Sequence, residues 1–431
     1  MPEHDAGNAR DETKEVGAIV IAPTRELATQ VHQVLEQGFL EGVGLTSMLV
    51  TGGGDPGKDI QRFREKGGNV VVGTPGRLLD LFQFRGASVG DFNFAAHVRS
   101  LEVLVLDEAD KLLEFGFATA LDSIISHLPK QRRTGLFSAT QTQAVQDLVR
   151  TGMRNPVEVR VRSVGGTGGR DVGVPDTLTN YYTLCAEERK LDLLAAFLRE
   201  KCAERKEKVL VFVATCACVD YFGSALIGIL EDVQVLSLHG RMRGRRYLVF
   251  DRFRNLESGV LVCTDVMARG IDIPDIDWVV QFDPPSTGVA FVHRAGRTAR
   301  SGSQGSSLLF LLPNEQPYVE FLLLNQKVSL SEMKEVVEEG KVKPTKELLE
   351  GLQIRDRAMM DKANRAFVSF IQFYCKHPLY LVFQLKEMNL GKLAQGFGLL
   401  RMPRMPEFRA LARGLQDFQP SSLDLNSIPY R

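Results

Sequence analysis

Short apolar runs separated by polar turns recur along the chain in two series. The first holds 16–22 (VGAIVIA), 47–50, 70–72, 103–106 (VLVL) and 135–137. Near-continuous apolar runs of this length, rather than an in-out alternation, predict strands buried on both faces of a parallel sheet. The segments between them follow the helical period. After Pro23 and Thr24, Leu27, Val31 and Leu35 repeat at helical spacing, and a further helix is expected near 111–127. The second series is 208–215, 233–240, 259–265, 278–283 and 306–312. The strand–helix alternation makes each series a doubly wound α/β domain, over 1–162 and 176–326. Residues 163–175 carry five glycines and no apolar period, which reads as a flexible linker. Beyond 326, Phe367, Phe370, Ile371 and Tyr374 fall on one face of a predicted helix. Residues 327–431 therefore read as a mainly helical C-terminal extension, in its plainest form a cap packed on the second domain.

Composition narrows the function classes. With 431 residues, 44% of them hydrophobic and 25% charged, the chain suits a soluble protein of about two or three domains. Lys+Arg and Asp+Glu both number 53. A globally basic nucleic-acid binder is thus excluded, while a local basic groove is not. No apolar run approaches the ~18 residues of a membrane helix, so no membrane partner is expected. The polar start lacks the apolar core of a signal peptide. The six cysteines include one CxC pair, Cys216 and Cys218, without a second pair or a histidine cluster nearby. Reduced thiols in an intracellular protein are expected, and no zinc site.

The candidate chemistry sits where strands end. In open α/β sheets, ligands bind at the carboxyl edge. There the chain places Asp107, Glu108 and Asp110, which can hold a magnesium ion and orient a water, or can simply cap the following helix. Arg25 and Arg77 each follow a strand at a Pro-containing helix start (PTR and TPGR), beside free N–H groups suited to phosphate. Gly52, Gly57 and Lys58 satisfy GxxxxGK, but Asp59 stands where a phosphate loop needs Ser or Thr. A Gly-rich turn opening a helix is the preferred reading. Ser138, Ala139 and Thr140 close another strand and suit a hydrogen-bonded joint or an N-cap. In the second series, Thr264, Asp265, Arg269, Gly270 and Asp272 follow one strand, and His293, Arg294, Arg297 and Arg300 crowd within eight residues. Three apart, Arg297 and Arg300 would share a helix face and converge on one phosphate.

PTRELA, TPGR, DEAD, SAT, TDVMARGID and HRAGRTAR, in that order over residues 16–312, resemble the motifs of the DEAD-box RNA helicases. The resemblance implies two RecA-like domains with ATP between them and RNA across both. It implies RNA-backbone contacts from Pro23, Thr24, Arg25, Gly52, Gly53, Thr74, Pro75, Gly76, Arg77, Thr264 and Asp265. Asp107 would hold Mg2+ and Glu108 would position the attacking water. Asp110, Gly270, Asp272 and Arg294 would serve ATP binding, with Arg297 and Arg300 on the γ-phosphate. Ser138, Ala139, Thr140 and His293 would couple hydrolysis to strand separation. The region after 327, with QRRTGLFSATQTQ and CTDVMARGIDIP, resembles the nucleolar branch acting on large-subunit ribosomal precursors. That branch implies pre-rRNA and preribosomal proteins as partners, a monomeric enzyme and a nucleolar location.

One departure stands out. The family places a glutamine-bearing adenine motif and an AxxGxGKT phosphate loop before PTRELA, and the residues preceding Val16 contain neither. The first domain is therefore expected to be incomplete. Either the chain is a shortened form of a working ATP-dependent helicase, or it is an RNA-binding preribosome scaffold without efficient turnover. The retained acids and arginines favour the former.

Overall fold

Aliphatic, β-branched runs form strands because their side chains pack on both faces of a pleated sheet, and in the computed structural model they do so twice. The structure describes residues 14–40, 42–84, 92–140, 142–159, 177–242, 246–265, 276–300, 302–410, 415 and 417–431. The expected linker at 163–175 lies outside these residues, as do Arg269, Gly270 and Asp272. The chain divides into two units, Met1–Arg160 and Val161–Arg431.

In the first unit five strands, β1 (Ala18–Ile21), β2 (Ser47–Val50), β3 (Val70–Gly73), β4 (Val103–Leu106) and β5 (Arg133–Leu136), pair in the order β2-β3-β1-β4-β5. Every pairing is parallel, Ala18 lying opposite both Val70 and Val103. One face buries Ile19, Ile21, Leu104 and Leu106, while Ala22, Leu27, Ala28 and Val72 form a second cluster. Because all strands run one way, their carboxyl ends share one edge. Along it, neighbours about 4.8 Å apart present the Gly52–Gly53 turn, the Thr74–Arg77 turn, Pro23–Arg25, Asp107–Glu108 and Ser138–Thr140 in that order.

Two expectations for this unit are corrected. The helix near 111–127 is two helices, Ala109–Glu114 and Ala118–His127, separated at Gly116 with φ of 79°. The strand at 135–137 is not buried. Among the described residues β5 has one neighbour, β4, so its side chains are half-exposed and Phe137 is 61% exposed.

The second unit holds β6 (Leu178–Leu184), β7 (Lys208–Phe212), β8 (Val235–Leu238), β9 (Gly259–Cys263), β10 (Trp278–Gln281), β11 (Gly305–Leu311) and β12 (Ser331–Glu332), ordered β12-β6-β11-β10-β7-β9-β8 and parallel throughout. Five of these match the apolar runs. β6, between β11 and the two-residue edge strand β12, was not anticipated because LTNYYTL carries too many polar positions to read as a core run.

The extension packs into this unit. Its helix Arg357–Cys375 buries Phe367, Phe370, Ile371 and Tyr374 as its pattern requires. They share a core with Tyr221 and Phe222 of the helix Cys216–Ile229. Polar ties reinforce it: the Thr215 and Ser369 hydroxyls are 2.6 Å apart, Gln353 donates to the Gly398 carbonyl at 2.7 Å, and the Tyr221 hydroxyl bonds the Phe397 carbonyl.

Candidate functional site

The first unit's edge opens with two helix starts. Thr24 caps the helix Arg25–Leu35, its hydroxyl accepting from the Leu27 N–H at 3.2 Å, and leaves Arg25 exposed in the first turn. The Arg25 guanidinium lies against the glycine turn that follows β2. A Cβ on Gly53 would stand 2.5 Å from it, and Gly53 has φ of 107°. The backbone angle calls for glycine, while the contact could be relieved by moving the flexible end of exposed Arg25. Across β3, Thr74 begins the helix Pro75–Gln83 with its backbone N–H on the Val50 carbonyl and no side-chain capping bond. A Cβ on Gly76 would meet open space, so this turn leaves room beside its backbone.

Arg77 does not repeat Arg25. Its side chain is 4% exposed and pairs through Nε with Asp59 at 2.7 Å. The GxxxxGK near miss is resolved by the same pair: Asp55 caps the helix Pro56–Lys66 through the Gly57 N–H, so Lys58 already lies within the helix and Asp59 faces arginines.

At the end of β4 the Asp107 N–H bonds the Ile21 carbonyl, and one Asp107 carboxylate oxygen accepts from the Glu108 N–H at 3.0 Å. Burial pushes the Asp107 carboxyl above its ordinary value, only partly offset by that N–H. Glu108 has φ of 50° and ψ of 52°, the left-handed region, which for a non-glycine residue costs roughly 1–3 kcal/mol. The turn is held by the Ala109 N–H on the Phe137 carbonyl at 2.9 Å. Asp110, the second residue of the helix, accepts from the Lys111 N–H, which also bonds the Glu108 carbonyl, while Glu108, at the cap position, makes no side-chain capping bond. The second Asp110 oxygen accepts from the Thr140 hydroxyl at 2.8 Å, and the Ser138 hydroxyl donates to the Thr140 carbonyl at 2.8 Å. Ala139, exposed between them, completes the turn. The DEAD and SAT segments are thus one hydrogen-bonded joint.

In the second unit Thr264, buried, and Asp265 follow β9. Arg294 is 1% exposed and grips Asp265 through two bonds, at 2.6 and 3.1 Å, while donating to the Asp283 carbonyl at 2.7 Å. Its guanidinium is thereby committed to bracing the ends of β9 and β10. The helix Gly288–Ala295 stops before Arg297, so the expected shared helix face of Arg297 and Arg300 is not formed. Instead Arg297 Nε bonds the carbonyl of buried His293 at 3.2 Å and Arg300 Nε that of Gly296 at 3.1 Å, with Ala299 left-handed between them. Sequence reading passed over Asp283, whose carboxylate accepts from the Ala214 N–H at 2.9 Å and pairs with Lys190 at 3.2 Å. The strand-end rule that singled out Asp107 applies equally to WVVQFD.

An acid pair after a central strand, a serine–threonine joint beside it and a basic segment on a second doubly wound unit are the parts of a nucleotide-driven motor, and comparison shows which. The chain belongs to the DEAD/DEAH box helicase family, whose profile matches residues 6–148, with the helicase conserved C-terminal domain at 189–302. Residues 356–405 match the C-terminal extension of ATP-dependent rRNA helicases of the SPB4-like kind. Within the family it is of the DDX55/SPB4 type. Human ATP-dependent RNA helicase DDX55 is 48% identical over 417 residues, covering 97% of this chain and 68% of that protein. DEAD-box ATP-dependent RNA helicase 18 of rice is 40% identical over 429 residues, 97% of this chain and 64% of that one. Among solved structures, DEAD-box helicase Mss116 bound to ssRNA and UDP-BeF aligns with a TM-score of 0.74 at 26% identity, over 96% of this chain and 84% of that one. Dbp5 of S. cerevisiae bound to RNA and ADP BeF3 aligns with a TM-score of 0.60 at 26% identity, over 75% and 79%.

Proposed function

We propose that this chain binds ATP and RNA and uses ATP hydrolysis to unwind or remodel short RNA duplexes, acting on ribosomal RNA precursors during large-subunit assembly. The observation that carries the reading is the joint at the first unit's edge. The Thr140–Asp110 bond ties the acids that face a nucleotide to the turn beside them, so a change at one is felt at the other. In this reading Glu108 positions the attacking water, its left-handed backbone fixing the direction of the carboxylate. Asp107 fits a magnesium ion, since its carboxylate is half-buried and burial disfavours its charge, a penalty that a cation relieves. When bound, that ion neutralises phosphate charge. Arg297 and Arg300 act on the γ-phosphate from the second unit, Asp272 and Gly270 serve the nucleotide, and Arg294 acts through Asp265 rather than on phosphate.

RNA is gripped by backbone at Pro23–Arg25, Gly52–Gly53, Thr74–Gly76 and Thr264, which makes recognition largely independent of sequence. The domain layout, 1–162, 163–175, 176–326 and 327–431, belongs to the same reading, as do a monomeric state, preribosomal partners and a nucleolar location. The rRNA substrate is supported by the SPB4-like extension. The test is ATP hydrolysis and duplex unwinding with and without RNA. RNA-dependent turnover that Glu108→Gln abolishes is expected. RNA binding without such turnover would instead establish a scaffold.

A further inference from the structure

The structure assigns Asp59 a positioning part in RNA binding: its carboxylate clamps Arg77 and so fixes the turns that follow β2 and β3 in register. The inference rests on the proposed RNA contacts of the first unit's edge.

The glycine turn after β2 sits between two guanidinium groups. Arg25 lies against Gly52 and Gly53, and an Arg77 Nη lies 3.8 Å from where a Gly54 Cβ would stand. The two differ in freedom. Arg25 is exposed, whereas Arg77 is 4% exposed with its Nε 2.7 Å from Asp59, itself only 14% exposed. The other Asp59 oxygen accepts from Arg62 at 2.9 Å, and Arg62 donates to the Leu49 carbonyl of β2 at 2.6 Å. A continuous path therefore runs from β2 through Arg62, Asp59 and Arg77 to the turn that opens the helix Pro75–Gln83. With its charge engaged inside the protein, Arg77 serves RNA as a strut for the backbone of Thr74–Gly76, not as a phosphate ligand. The other acid near Arg77, Asp80, is 3.9 Å away and 55% exposed, so losing Asp59 leaves the buried guanidinium only a longer, solvent-screened partner and the strut slackens.

Coulomb's law and the clamp predict opposite signs. Deleting a negative charge beside a polyanion should tighten binding if Asp59 is only a charge. If Asp59 is a clamp, deletion loosens it. The experiment is fluorescence anisotropy of the full chain with a dye-labelled oligouridylate over a salt series. Asp59→Asn is expected to weaken binding about tenfold, the loss of a charge-assisted bond. The salt slope should stay unchanged, because no phosphate contact is removed. Arg25→Ala should weaken binding and lower the slope by about one. Asp59→Glu, which keeps the charge but displaces it, should fall between wild type and Asp59→Asn, and it serves if the latter fails to fold. Unchanged or tighter binding by Asp59→Asn, beside a weakened Arg25→Ala, overturns the clamp alone. An Arg25→Ala variant that binds like wild type overturns the RNA reading of this edge, and the clamp with it.

Discussion

Replacing Thr140 with valine keeps the shape of the side chain and deletes one hydroxyl, the one that reaches Asp110 at 2.8 Å. A hydrogen bond to a charged acceptor contributes about 1.5–3 kcal/mol. Asp110 is buried but retains the Lys111 N–H, and Thr140 is half-buried, so the lower part of that range applies, about 1.5–2 kcal/mol. The chain offers a clean assay. Its one tryptophan, Trp278, lies on β10 in the second unit, so fluorescence follows that unit while circular dichroism follows both. In urea, the first unit's transition should move down by about 0.5–1 M for an ordinary m-value, and the Trp278 transition should stay in place. A cycle with Asp110→Ala should then show coupling, because each change alone removes the same bond. Additive effects within about 0.5 kcal/mol, or an equal shift of the Trp278 transition, would refute the idea that this joint is local and energetically real.

Three further outcomes follow from the same geometry. Asp107 has its carboxyl raised by burial, so the first unit loses stability as pH rises above the ordinary value of 3.8, and Asp107→Asn should be more stable than wild type at neutral pH and equal to it in acid, read by thermal melts. Glu315, buried and pushed up to about 7, gives the second unit stability that is present below its ordinary 4.5 and lost as pH rises through the folded value. Glu315→Gln should flatten the pH dependence of the Trp278 melt. Phe367→Ala removes a ring packed 5.5 Å from Phe397 and 6.2 Å from Phe408 in the core shared with the second unit, and should cost about 3–5 kcal/mol. The Trp278 transition should shift as one step, whereas a separate early transition would show that the extension folds by itself.

Much of the candidate site was legible in linear sequence because its chemistry sits at strand ends. An apolar run followed by Asp107 and Glu108, or by Thr24 and Arg25, declares both the strand and the edge on which its residues emerge. The strands carrying those motifs were found for the same reason. What failed were readings that depend on neighbours. β5 looks like a buried strand until the sheet order leaves it one partner, and β6 shows no apolar run that would mark it as a strand until β11 pairs with it.

The sequence by itself determined the two α/β series, the family and the types of residue available to nucleotide and RNA, since periodicity and motif order are local properties of the chain. Only the tertiary structure decided how those residues are used. Arg25 and Arg77 occupy similar turns in sequence, yet one faces solvent beside glycine and the other is buried against Asp59. Arg294 and Asp265, 29 positions apart, become a bidentate pair, and the SAT turn is fastened to Asp110 across 30 residues. A charged side chain's role depends on which opposite charge the fold brings within about 3 Å of it and how much water remains, and neither is written in residue order.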